Sequence, residues 1–339
     1  MQAATVSPEY VKYALKGAIF RGYNPEEIVQ KQGLPVQILT NPRLRISTLA
    51  FAELSRALTE LLRDESVGLL AKPTPIGSFN LMAKACLSSI TIGESLNIWR
   101  DCLNLMDNSV SAYTLSDKKG SLIAISCQKA PGLDGNYASN YAIESQLIGC
   151  HRFHCWLAND FVPIESVDLA YPEPAISAEH RFLFYGAPVH YGQKRNALHF
   201  SRDAVQLKNM RGKEDLQELL TRPLAHIMSQ PRQSNSSSLK VRHWMEQSFR
   251  DGEGYPQMSE ACAYLGLTQP TLRRRLSAEG YSFKQLKEDT RRDMAIFYIK
   301  QSGLSIEEIG FKLGFSEAST FIRSFKKWTG VTPLVYRKM

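Results

Sequence analysis

The chain has 339 residues and six Cys, with 41 Lys and Arg against 33 Asp and Glu for a formal charge of +8. That length accommodates two domains with cores of their own. No basic segment leading into an apolar core opens the chain and no run of about 18 apolar residues occurs. Neither a secretory leader nor a membrane span is therefore expected, the location is expected to be cytoplasmic, and the Cys read as reduced thiols.

An apolar periodic stretch (Val11, Ala14, Leu15, Ala18, Ile19) predicts a first helix ending at Gly22. Asn24 then caps a short helix with Pro25 at its first position and Gly33 beyond its end. Phe51, Leu54, Leu58, Leu61 and Leu62 mark the next helix, Gly77 to Leu87 another, and Thr91 with Glu94 a capping box for a helix carrying Leu96, Trp99, Leu103 and Met106. Strand patterns at Ala112–Leu115 and Leu122–Cys127 flank the turn sequence Asp117-Lys118-Lys119-Gly120. A long helix is expected over Ala138–Ala158, a strand over Val167–Tyr171 and a helix over Ser177–Tyr185. Val189–Tyr191 is expected to pair with Leu198–Ser201, and a last helix bent by Pro223 to run over Asp215–Met228. Residues 1–228 thus read as an α+β domain.

Ser229 to Ser238, S-Q-P-R-Q-S-N-S-S-S, has no apolar residue and reads as a flexible linker. From Leu239 onward 17 Lys and Arg face 11 Asp and Glu, against 24 and 22 before it, so most of the positive excess falls on residues 239–339. A domain that meets phosphate needs such a balance, although many solvated surfaces are as basic.

Within residues 239–339 one pattern is written twice, at Ser259–Phe283 and at Ser305–Pro333. In the first copy Ser259 is expected to cap a helix with Ala261, Cys262 and Leu265 inward, Gly266 turns the chain and Thr268 caps a follower. In the second, Ser305 and Glu308 form a capping box, Ile309, Gly310 and Leu313 face inward, Gly314 turns and Ser316 is expected to cap the follower. Leu272 with Leu276, and Phe321 with Phe325, fix the inner faces of the followers. This is the spacing of a helix-turn-helix, whose second helix enters a DNA major groove. Between the copies Phe283 to about Ser302 lacks Pro and Gly and predicts one rod of about 30 Å, close to the ~34 Å of a DNA turn. The expected architecture for 239–339 is all-α, two helix-turn-helix motifs joined by a linker helix.

The run G-F-S-x-x-S-x-F-x-R-x-F-K-x-W-T-G-x-T-P from Gly314 to Pro333 resembles the DNA-binding domain of the AraC/XylS transcription regulators. Gly33–Arg43, Val67–Leu70 and Phe182–Gly192 resemble the arabinose-binding-like effector and dimerisation domain of one branch of that family. The resemblance implies promoter DNA and RNA polymerase as partners, a homodimer formed through the N-terminal domain, a small-molecule effector and no membrane partner. It does not name a sugar as the effector.

The outward residues of the followers are the candidate readers of base edges. These are Gln269, Pro270, Arg273 and Arg274 in the first, and Glu317, Ser319, Thr320 and Arg323 in the second. Arg forks onto guanine O6 and N7, and hydroxyls suit several bases. Glu317 stands awkwardly near phosphate and suits a cap or cytosine N4 better. Arg275, Lys326 and Lys327 are candidate phosphate contacts.

In Cys150-His151-Arg152-Phe153-His154-Cys155, His151 and Cys155 share a helix face at i and i+4 and are candidate zinc ligands, with His154 nearby. The stretch lacks a fourth ligand from a second Cys/His pair, so no metal is expected. The same stretch resembles the P-C-H-R-V acceptor motif of alkyl-transfer DNA repair proteins, with Gly149 in place of Pro and Phe153 in place of Val, which makes Cys150 a rival nucleophile. A non-specific architectural DNA binder is the other rival. Phe79, Trp99, Phe153 and Trp156 are candidates for an effector pocket or, more simply, for core. No nucleotide-binding, metalloprotease or hydrolase motif occurs, so neither an enzyme nor a cofactor is expected.

Overall fold

The computed structural model describes residues 5–106, 109–118, 120–128, 138–228, 237–251, 255–301 and 303–338. Its two compact units do not follow chain order: one gathers residues 1–11, 26–51 and 235–339, the other residues 12–25 and 52–234. Lys119 of the expected hairpin turn and residues 229–236 of the expected linker lie outside the described residues.

β1 (Thr5–Val6), α1 (Pro8–Phe20), α2 (Pro25–Lys31), a 3-10 turn (Val36–Leu39), β2 (Ile46–Ser47) and α3 (Thr48–Leu62) come first. α4 (Ser78–Cys86) and α5 (Ile92–Leu105) precede the hairpin β3 (Val110–Ser116) and β4 (Gly120–Cys127). α6 (Ala138–Ala158), β5 (Ile164–Asp168), α7 (Ser177–Leu183), β6 (Val189–His190), β7 (Ala197–Ser201) and α8 (Arg202–Gln206) follow, then α9 (Lys213–Thr221) and α10 (Pro223–Met228). α11 (Ser237–Asp251), α12 (Met258–Leu265), α13 (Gln269–Ala278), α14 (Phe283–Gln301), α15 (Ile306–Lys312), α16 (Ala318–Thr329) and α17 (Pro333–Lys338) complete the chain.

In the unit of residues 12–25 and 52–234, five strands run in the order β3-β4-β7-β5-β6. The expected pairing of Val189–Tyr191 with Leu198–Ser201 is not formed. β7 lies between β4 and β5, antiparallel to both, and β6 pairs parallel to β5. Pairing puts Ile123, Leu198 and Val167 side by side, all fully buried, while α5 and α6 pack on β3 and β4. Such a row of branched apolar residues on one face is what a half-buried sheet requires. β5 starts three residues earlier than the pattern at Val167–Tyr171 suggested. The expected final helix is broken rather than bent, because Pro223 starts a new helix after Arg222.

Two features of this unit explain local sequence. Asp64 is fully buried and its carboxylate accepts from Ser66 N, Ser66 Oγ, Gly68 N and Thr74 N at 2.6–2.9 Å, which folds the Val67–Leu70 segment on itself. Gly68, at φ 77°, rests against Gly17 of α1 so closely that a Cβ on Gly17 would lie 2.0 Å from the Val67 carbonyl oxygen. Thr91 caps α5 as expected, accepting from Glu94 N at 3.2 Å, but the Glu94 carboxylate accepts from Ile90 N at 2.7 Å instead of closing the box on Thr91.

In the other unit, the seven C-terminal helices hold the tandem pattern. Ser237 and Ser238, expected at the end of the linker, start α11 and are buried. Their backbone N–H groups donate to the two Glu279 carboxylate oxygens at 2.7 and 2.8 Å, satisfying donors a helix start leaves open.

Candidate nucleic-acid interface

Each helix pair is hung from the residues that the local pattern singled out. Leu272 and Leu276 of α13 are 0% and 1% exposed, and Phe321 and Phe325 of α16 are fully buried, their rings 5.9 Å apart. Gly310 of α15 faces Phe321 closely enough that an added Cβ would come within 3.1 Å of the Phe321 Cβ. This is the close helix approach that its small size permits.

With the inner faces fixed, the outer ones follow by geometry. Gln269, Pro270, Arg273, Arg274 and Arg275 on α13 are all exposed. Thr268 caps the helix by accepting from Thr271 N, and Pro270 occupies its first turn, where a missing N–H costs nothing. On α16, Ser319, Arg323, Lys326 and Lys327 are exposed and Thr320 is half-buried, while Glu317 just precedes the helix. Arg323 Nη2 donates to Thr320 Oγ1 at 3.4 Å, and Ser319 Oγ donates to the Glu317 carboxylate at 3.1 Å. Two expected caps are corrected. Gln257, not Ser259, precedes α12 and is tied by the Glu260 carboxylate, which accepts from its N–H at 2.7 Å; Glu317, not Ser316, occupies the position before α16. In both cases the helix start lies one or two residues from the hydroxyl that the sequence offers. The box at Ser305 and Glu308 forms in full, at 3.1 and 2.7 Å.

α14, the rod between the pairs, has 19 residues and so spans about 28 Å. It also carries an ionic centre that apolar periodicity does not reveal. Asp293 is buried and receives Arg242 Nη2 at 2.6 Å, Arg292 Nε at 3.0 Å and Thr5 Oγ1 at 2.6 Å. Burial by itself would raise its pKa, but the guanidiniums of Arg292, Arg242 and Arg45 outweigh that and hold the carboxyl at about 2.

Thr5 in turn accepts from Arg45 Nε at 2.8 Å across the β1–β2 ribbon. Asn41 Nδ2 donates to the Thr329 carbonyl at 3.0 Å, and Tyr336 OH donates to the Arg45 carbonyl at 2.6 Å. Residues from the start of the chain are thereby built into the same compact unit as the tandem helices. The sequence signal that could have exposed this is Arg-Arg-Asp at 291–293, a cluster of charge in the middle of the rod.

The rival chemistry at Cys150 has no geometry behind it. Cys150 is fully buried on α6 and burial pushes its thiol well above the usual range, so the thiolate that would attack an alkyl group is disfavoured. Burial likewise pushes His154 down to about 4 and His151 to about 3, leaving both neutral. His151 Nε2 is taken by the Val162 carbonyl at 2.8 Å, and among the described residues no group of three or more His, Cys, Asp or Glu is placed to hold a metal ion. Phe79, Trp99, Phe153 and Trp156 do come together, with Trp99 and Phe153 rings 5.1 Å apart and Phe153 and Trp156 rings 5.6 Å apart.

Residues 22–209 match the profile of the arabinose-binding domain of AraC transcription regulators, and residues 261–339 match a helix-turn-helix domain. The chain belongs to the AraC family of transcription regulators. AraC-family membership makes it a DNA-binding transcription regulator and not an enzyme. The ornithine utilization regulator of Pseudomonas aeruginosa is 23% identical over 304 residues, 89% of this chain and 87% of that one. The urease operon transcriptional activator of Escherichia coli is 36% identical across 80 residues, 24% of this chain and 27% of its own length. A crystal structure of the transcriptional regulator CdpR from P. aeruginosa aligns over 98% of this chain and 97% of that one, at 18% identity and a TM-score of 0.33. Among the described residues no helix is long and apolar enough to cross a membrane.

Proposed function

We propose that this AraC-family chain reads two successive major grooves of promoter DNA, α13 in one and α16 in the next. Gln269, Pro270, Arg273, Arg274, Glu317, Ser319, Thr320 and Arg323 face base edges, and Arg275, Lys326 and Lys327 hold phosphates. The supporting observation is the pairing of two outer faces, polar and mostly exposed, with a 19-residue rod whose length is close to one DNA turn. Residues 12–25 and 52–228 act as the sensing part, which takes a small-molecule effector and forms a homodimer, and the segment before α11 joins it to the reading part. The two reading parts of the dimer are then placed on repeated half-sites, where they recruit RNA polymerase. The name of the urease operon relative supports activation as the sign of regulation.

The test is a specificity ratio measured at one stated salt concentration. A duplex selected by the full-length chain from a random library is expected to bind about 10³-fold or more tightly than random duplex. A ratio near one would replace this reading with a non-specific architectural binder.

A further inference from the structure

α14 does more than separate the two helix pairs. Tyr255 lies just before α12, and its backbone rests on the turn of the second pair. Gly314 there has φ 74°, and a Cβ added to it would meet Tyr255 Cα and Cβ at 3.3 Å and Tyr255 N at 3.4 Å. Two cations from successive turns of α14 meet the Tyr255 ring. Lys287 Nζ is 3.6 Å and Arg291 Cζ 4.6 Å from its centroid.

Both cations are 8% exposed, and each is also bound elsewhere. Lys287 Nζ donates to the Pro256 carbonyl at 3.0 Å, at the entry to the first pair. Arg291 Nε donates to the Leu313 carbonyl at 3.0 Å, and its guanidinium lies 3.6 Å from the Phe315 centroid, both in the turn of the second pair. The Arg291 guanidinium is thus shared between an aromatic of the first pair's entry and one of the second pair's turn. Desolvated cation–ring contacts of this kind are directional and hold orientation as well as contributing energy.

We infer that Tyr255, gripped by Lys287 and Arg291 and seated on Gly314, is a positioning residue that fixes the angle and distance between α13 and α16, and hence the spacing of base-pair boxes the chain accepts. This rests on the two-groove reading proposed above. A helix alone sets only a length. Tyr255 ties the first pair's entry to the second pair's turn, so that the two reading helices turn as one body.

The experiment uses the full-length chain and a duplex that it selects from a random library, with one or two base pairs inserted or deleted midway between the two boxes, and a control duplex in which one box is scrambled. Wild type is expected to lose affinity sharply when spacing changes. Tyr255→Leu, which keeps apolar cover but removes the ring face, and Tyr255→Ala are expected to shrink that spacing penalty by roughly tenfold. Both are expected to bind the single-box control as wild type does, and Tyr255→Phe to retain most of the penalty. Tyr255 is 40% exposed, so truncating it opens no core.

An unchanged spacing penalty in Tyr255→Leu overturns the inference and leaves the two-groove reading standing. So does an equal loss on single-box and two-box duplexes, which marks a merely structural role. Wild type that ignores spacing overturns the two-groove reading itself, and the inference with it.

Discussion

Replacing Asp293 by alanine is expected to cost about 3–5 kcal/mol, the largest effect of any single change proposed for the reading part of the chain. The side chain is 4% exposed and stands between Arg242 and Arg292, with Arg242 itself 4% exposed. Removing the carboxylate takes the 2.6 Å ion-pair partner from a buried guanidinium, which keeps Glu246 at 3.2 Å, and takes away the acceptor for Thr5. Urea unfolding of the full-length chain, with hydrogen exchange reporting on the α14 amides, measures the loss. A change below about 1 kcal/mol would show that the ion pairs barely exceed their desolvation cost.

The same group sets a pH dependence. Its folded pKa of about 2 lies below the unfolded value of about 3.9. The stability it contributes, about 2–3 kcal/mol, is therefore complete above the unfolded value and drains away as pH falls from about 4 to about 2. Wild type should lose stability across that window more steeply than Asp293→Asn.

The second large effect concerns specificity. Arg323→Ala is expected to relax preference at one base position by about 1–3 kcal/mol, whereas Lys327→Ala should weaken all duplexes alike and reduce the salt slope by about 1. The physical ground is position along α16. Arg323 stands one turn after Ser319 and Thr320 near the helix start, where a groove-inserted helix meets base edges, and Lys327 stands one turn further on. Arg323 is exposed and its bond to Thr320 lies within its own helix, so truncation leaves the fold intact. Binding of both variants to matched, single-substituted and random duplexes over a salt series separates the two roles. Indistinguishable behaviour would contradict the assignment.

The helix pairs were legible because everything that makes them is local. Caps, glycine turns and the pairs Leu272/Leu276 and Phe321/Phe325 act within a few residues, and a 3.6-residue period displays them directly. Even there Ser259 and Ser316 misled, since a hydroxyl near a helix start does not say which residue begins the first turn. The sheet was less legible. β6 is two residues long, and a strand of that length carries no period from which a partner can be deduced, so its parallel pairing with β5 had to be seen.

Least legible was the joining of Thr5, Asn41 and Arg45 to Asp293, Thr329 and Tyr336. These are polar residues some 290 positions apart, and nothing in local composition marks one as the partner of another. The grouping of Tyr255, Lys287 and Arg291 is hidden in the sequence for a related reason. On a helix read for its apolar face, Lys and Arg are assigned to solvent, yet here their stems and charges are covered by aromatic rings.

Whether the two helix pairs act as one reader is tested most directly by a hydroxyl-radical footprint of the full-length chain on a selected duplex. Two protected stretches about ten base pairs apart, on one face of the helix, are expected for each reading part. A single protected stretch, or two stretches on opposite faces about five base pairs apart, would contradict the reading of successive major grooves by α13 and α16.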